Sequence, residues 1–86
     1  MRNFKATVKV RKKATVADPE GKTISEALVR LGYDQVKKIR TGKVFHVELT
    51  AENLDSAKKT VDKISKDILT NPIIEIYEFE IEECEC

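Results

Sequence analysis

The chain has 86 residues, 36% of them charged and 41% apolar, with a net charge of +1. One domain, residues 1–86, is expected. A domain this small buries only roughly 60–65% of its unfolded surface, so a second subunit would add to a thin stability margin. No apolar run approaches the roughly 20 residues that span a bilayer, and MRNFKATVKV alternates where a signal peptide would carry an apolar block. The expectation is a cytoplasmic protein with no membrane partner.

The near-zero charge conceals an asymmetry. Residues 1–43 carry 12 Lys/Arg against 4 Asp/Glu, and residues 44–86 carry 4 against 11. Folded together, the two fields largely cancel, so nucleic acid is not expected as a partner.

Phe4, Ala6, Val8 and Val10 alternate with Lys5, Thr7, Lys9 and Arg11, the pattern of a half-buried strand. KKATVADPEG then reads as a loop, with Asp18-Pro19 opening a turn and Gly21 supplying conformational freedom. Ile24, Ala27, Leu28 and Leu31 fall at i, i+3, i+4, i+7, which predicts a helix closed by Gly32. YDQVKKIRTGKVFHVELT reads as a hairpin. A three-residue Arg40-Thr41-Gly42 loop puts Ile39, Phe45, Val47 and Leu49 on one face and presents Arg40 and Lys43 at a tight basic tip.

A second helix carries Leu54, Ala57, Val61, Ile64 and Ile68 on one stripe, and Asn71-Pro72 ends it. The last strand places Tyr77, Phe79 and Ile81 on one face and Ile74, Ile76, Glu78, Glu80 and Glu82 on the other. Residues 83–86 are read as a flexible tail.

The order β-α-β-β-α-β predicts an α+β two-layer sandwich, a ferredoxin-like antiparallel sheet with two helices on one face. The last strand then lies beside the first, with Glu78, Glu80 and Glu82 near Lys5, Lys9 and Arg11. Ile74, Ile76, Val36 and Val44 fall on the face without helices. Each left wet forgoes roughly 1.5–3 kcal/mol, so a homodimer or higher oligomer is expected.

No catalytic set stands out. Ser25, Ser56 and Ser65 lack a nucleophile turn, His46 is solitary, and the glutamates form a row where acid–base chemistry needs two contrasting environments. Cys84 and Cys86 are half a zinc site at most, so no metal is expected. The outward face lacks the aromatics on which RNA stacks. DPEGKT, at a helix start, keeps open a second reading, a small-molecule-binding regulatory module taking an anion there.

Several pieces stand in order along the chain: Asp18-Pro19-Glu20-Gly21, Ala27-Leu28 with Leu31-Gly32, Val36 followed by Arg40, Gly42 and Lys43, and Leu69 with Asn71-Pro72-Ile73-Ile74-Glu75 and Tyr77. In order and spacing they resemble the PurS family, the small subunit of phosphoribosylformylglycinamidine (FGAM) synthase in purine biosynthesis. The resemblance departs in the second helix and in the cysteine-bearing tail, so no role passes to Cys84 or Cys86.

The resemblance implies a non-catalytic assembly subunit. It would join a large ATP-dependent amidoligase to a glutaminase and support ammonia transfer between them. ATP and Mg would be used by the large subunit, and this chain would bind no cofactor. Partner-interface roles are then expected for Arg40, Gly42 and Lys43, for Asp18, Pro19 and Gly21, and for Asn71 and Pro72. A self-interface is expected at Ile73, Ile74 and Ile76, where the last strands of two copies meet or exchange.

Overall fold

A computed structural model describes residues 1–85. The elements are β1 (Arg2–Lys12), α1 (Pro19–Arg30), β2 (Gly42–Ala51), α2 (Leu54–Ile64) and β3 (Glu75–Cys84), with a π turn, Ser65–Leu69, extending α2. The strands form an antiparallel sheet in the order β2-β1-β3. The α+β class and the antiparallel placement of the last strand beside the first follow the alternating pattern. Two details differ from expectation. The sheet has three strands, and only α2 packs closely against it.

The central strand is the most deeply covered. Phe4, Ala6, Val8 and Val10 are at most 3% exposed. Across the ladder, Ala6 lies between Val47 and Ile81, and Val8 between Phe45 and Phe79. Ala57 and Val61 of α2 close over this layer. The outer face carries the charges: Lys5 stands opposite Glu82, with an ion pair at 3.3 Å, and Lys9 opposite Glu78. Arg11 faces Ile76, and Glu80 faces Thr7, so the ladder of charge is shorter than the sequence suggests.

The π turn explains a second departure. The predicted stripe on α2 ended at Ile64 and Ile68, but Ile68 is 78% exposed while Ser65 is fully buried and Leu69 packs on the core. The wider turn steps the inward position by four, from Ala57 to Val61, Ser65 and Leu69. The Ser65 carbonyl takes both the Thr70 N–H and the Thr70 hydroxyl, at 3.0 and 2.9 Å. β3 begins at Glu75, so Ile73 and Ile74 lie in the preceding turn and only Ile76 points outward from the strand. The three isoleucines therefore never share a strand. The same strand runs on through Glu83 and Cys84, which pair with Phe4 and Asn3. The expected tail is thus ladder at those two positions; Cys86 lies outside the described residues.

Helix α1 stands away from the sheet, with Gly21 its only buried residue. It ends as the sequence predicts. Gly32 has a φ of +94°, its N–H bonds the Val29 carbonyl, and the Tyr33 N–H reaches back to Leu28. The apolar stripe beside that end has no cover: Val29, Leu31 and Tyr33 are half exposed or more. The radius of gyration is 16.9 Å with extents of 53 × 28 × 14 Å, against about 12 Å for a compact chain of this length.

Candidate functional site

The base of the α1 arm is built on Asp18. The segment Asp-Pro-Glu-Gly starts the helix itself: Asp18 is the N-cap, Pro19 fills the first helical position, and the Gly21 N–H donates to Asp18 Oδ1 at 3.0 Å. Pro19 and Gly21 are thus in the helix and not in the loop the sequence suggested. Gly21 is required for proximity. A Cβ there would stand 2.3 Å from the Ile39 carbonyl oxygen.

The Asp18 carboxylate also grips a residue 23 positions away. The Thr41 N–H donates to Oδ2 at 2.6 Å and the Thr41 hydroxyl lies 2.9 Å from the same oxygen. Lys12 Nζ approaches Oδ1 at 3.9 Å. The N–H groups of Thr41 and then Gly21, with the Thr41 hydroxyl and Lys12, hold the Asp18 carboxyl far below the usual carboxylate range, although burial opposes them.

This grip overturns the predicted hairpin. Residues 36–41 form no strand, Gly42 is the first residue of β2 opposite Arg11, and Gly32 is the only glycine with positive φ. A three-residue loop with a left-handed Gly42 does not exist, because Thr41 is drawn back to Asp18. A Cβ at Gly42 would meet the Val10 carbonyl at 2.6 Å, so strand proximity explains this glycine. Arg40 is no tip residue either. Its Nη2 donates to the Lys13 and Val16 carbonyls at 3.0 and 2.8 Å, clasping the loop after β1. Lys43 is exposed opposite Val10.

The Asn71-Pro72 corner reaches the same place. Asn71 Oδ1 accepts from the Ile73 N–H, Glu75 Oε1 accepts from the Asn71 N–H, and the Ile74 carbonyl accepts from the Lys13 N–H at 2.8 Å. The Lys13 peptide groups therefore join the Arg40 clasp to the Ile74 turn. Asp18, Gly21, Arg40 and Gly42 converge around one end of β1. Pro72 and Ile73 stand exposed on the adjoining corner.

Between the first turns of α1 and residues 37–40 lies an open cleft of about 600 Å³. Lys22, Lys37, Lys38 and Arg40 line it, with Pro19 and Ile39 among its apolar residues. Its three lysines, and Thr41 in the wall behind it, were missed in the sequence. A residue bonded across 23 positions leaves no periodic signal, and three scattered lysines read as solvated surface. The helix-start N–H of Gly21, weighed as an anion donor, is already taken by Asp18. Among the described residues no group of three or more His, Cys, Asp or Glu is placed to hold a metal ion. No described helix is long and apolar enough to cross a membrane.

The PurS family, described as phosphoribosylformylglycinamidine (FGAM) synthase, matches residues 5–83. The chain is 39% identical to subunit PurS of phosphoribosylformylglycinamidine synthase from Methanocaldococcus jannaschii, over 95% of this chain and 99% of the relative. It is 36% identical to the Bacillus subtilis subunit, over 93% and 94%. The crystal structure of the Methanocaldococcus jannaschii PurS superposes with a TM-score of 0.83 over 95% of this chain and 99% of that one. A chain in the PurLQS structure from Thermotoga maritima superposes at 0.82, with 38% identity, over 98% and 100%.

Proposed function

The chain belongs to the PurS family of FGAM synthase subunits, and on that premise we propose that it is the assembly subunit of a glutamine-dependent synthase in de novo purine biosynthesis. In this reading it catalyses nothing itself. It bridges an ATP-dependent amidoligase and a glutaminase in the cytoplasm, so that ammonia released on one reaches the other. ATP and Mg are used by the large subunit, and no cofactor binds here. Binding energy that favours the docked arrangement is the whole contribution, a shift of population. The observation that carries the proposal is the full-length match to a chain of the PurLQS assembly from Thermotoga maritima.

The surface supports a bridging role. Ile73 and Ile76 are 79% and 39% exposed at the β3 corner, and the far end of α1 is apolar and uncovered. Burying such side chains stabilises by roughly 1.5–3 kcal/mol each. We assign Ile73, Ile74 and Ile76 to a self-interface. Asp18, Pro19, Gly21, Arg40, Gly42, Lys43, Asn71 and Pro72 belong to the surface offered to the other subunits, in which Asp18, Gly21 and Gly42 shape and Arg40 clasps.

Reconstitution tests the proposal. The chain is mixed with the amidoligase and glutaminase of its own organism, and glutamine-dependent amidine formation is assayed with and without it. Activity and co-elution that both require the chain are expected. Equal turnover without it, and no co-elution, would overturn the reading. For the self-interface, Ile73→Asp with Ile76→Asp is expected to halve the mass seen in sedimentation.

A further inference from the structure

The cleft beside the α1 base has features that nothing in the chain uses. The first is charge. Lys22, Lys37, Lys38 and Arg40 line it, and none of the four takes part in an ion pair among the described residues. Lys37 Nζ reaches only the Asp34 carbonyl, at 3.5 Å. Asp18 also lines the cleft, but the residue is 7% exposed and its carboxylate is occupied by Gly21 and Thr41. Glu26 is the one other acidic residue of the lining, so cations prevail.

The second feature is main chain without partners. Residues 37–40 follow a strand-like sequence pattern but join no ladder. Among the described residues their N–H and C=O groups form no main-chain hydrogen bond. The Ile39 carbonyl packs on Gly21, and the rest of the stretch is open, a template for an added strand. The third feature is rigidity. The Asp18–Thr41 grip, the Arg40 clasp and the contact of Gly21 with the Ile39 carbonyl hold both walls in place. A ligand entering here orders little.

The chemistry selects among anions. A phosphate site gathers N–H donors and cations around one point. Here the Gly21 N–H is spent on Asp18, and the cations are distributed, Lys22 on the helix and the others along residues 37–40. Carboxylates spaced along a peptide match that distribution, and its apolar side chains match Pro19 and Ile39. We infer that the cleft receives an extended acidic segment of a partner subunit, which lies as a strand against residues 37–40 and sets its carboxylates on Lys22, Lys37 and Lys38. The inference rests on the assembly reading above and names the surface and the chemistry through which it operates.

Two measurements decide it, and they fail separately. In the first, the isotopically labelled full chain is titrated with a peptide of alternating Glu and Val, and separately with inorganic phosphate, while amide resonances are followed. Shifts confined to Lys22 and residues 37–40, weakened by rising salt, are the expected result. Lys37→Glu with Lys38→Glu is expected to weaken the peptide by roughly tenfold or more. Both lysines lie outside the Asp18 and Arg40 contacts, so melting temperature and oligomeric state should be unchanged. Absent shifts, shifts elsewhere, or equal shifts with phosphate would overturn the inference.

In the second measurement, the same double variant is mixed with the amidoligase and glutaminase. Loss of co-elution supports the docking site. Co-elution as strong as that of the unsubstituted chain overturns it and leaves the assembly reading standing. If the unsubstituted chain itself fails to co-elute, the assembly reading falls, and the peptide titration still decides the chemistry of the cleft.

Discussion

The sheet with α2 and the arm carrying α1 are held by different forces. In the first, side chains from three strands and one helix interlock around Phe4, Val8 and Val61, each fully buried. In the second, one carboxylate, one guanidinium and one close glycine contact fix the base of a helix whose apolar face lacks cover. Apolar packing resists many small changes and yields to a large cavity. A polar joint resists nothing once its central acceptor is gone. The comparison teaches that the core lies in a small platform and that the arm keeps its apolar face uncovered.

Phe4→Ala strikes the platform and has the largest expected effect, a loss of about 3–5 kcal/mol, read by denaturant unfolding. Against the 4–13 kcal/mol, roughly, of a domain this size, the variant should be partly unfolded. Gly21→Ala strikes the arm. The new methyl group must displace the Ile39 carbonyl, at a cost of about 1–3 kcal/mol, and hydrogen exchange should quicken at Thr41 while the β1 amides stay protected. If both regions loosen equally, the two are not mechanically separate.

Acid also separates them. Asp18 is depressed in the folded chain relative to 3.8 when free. Its stabilisation is therefore present above about pH 4 and drains away as pH falls from there toward the folded value. Thr41 protection should decline in that window, and Asp18→Asn should remove both the protection and its pH dependence.

Tyr77 sharpens the platform side. Its hydroxyl donates to Asp62 Oδ1 at 2.6 Å, joining β3 to α2. That bond, then burial and the charges of Asp62 and Asp67, raise its pKa. The contribution is present below about pH 10 and lost as pH climbs through the folded value. Tyr77→Phe should cost roughly 0.5–1.5 kcal/mol and leave the arm untouched. Ser65→Ala should have the smallest effect and the opposite sign. The Ser65 Oγ is fully buried with no hydrogen-bond partner, so its removal should be neutral or stabilising by up to about 1 kcal/mol, read as a small rise in melting temperature.

Legibility in the sequence follows the same division. Period-two alternation in β1 and β3 announces a dry face because each strand lies against its neighbours along its whole length. The Gly32 stop of α1 is local and visible, whereas Asp18-Pro19 reads as a turn in a loop and not as the helix start it is. Three other things are not visible. The place of α1 depends on Thr41, which answers Asp18 from 23 residues away. Ile39 shares the parity of a core strand yet serves through its carbonyl against Gly21. The π turn moves Ser65 inward and Ile68 outward by one extra residue, which a regular 3.6 period cannot anticipate. Of the candidate site, Asp18, Pro19, Gly21 and Arg40 were singled out, but as a loop and a tip and not as a cap and a clasp, while the lysines of the cleft were not.

The Arg40 clasp has a geometrical consequence. Helix α1 has 12 residues, a rod of about 18 Å fastened only at its lower end. A tilt of about 10° at the fastening swings the upper end by roughly 3 Å over that length. Leu31 and Tyr33, exposed at that upper end, therefore stand at the long end of a lever. Its fulcrum is the Asp18–Thr41 grip, braced by Arg40, which holds the Lys13 and Val16 carbonyls of the loop leading into the helix.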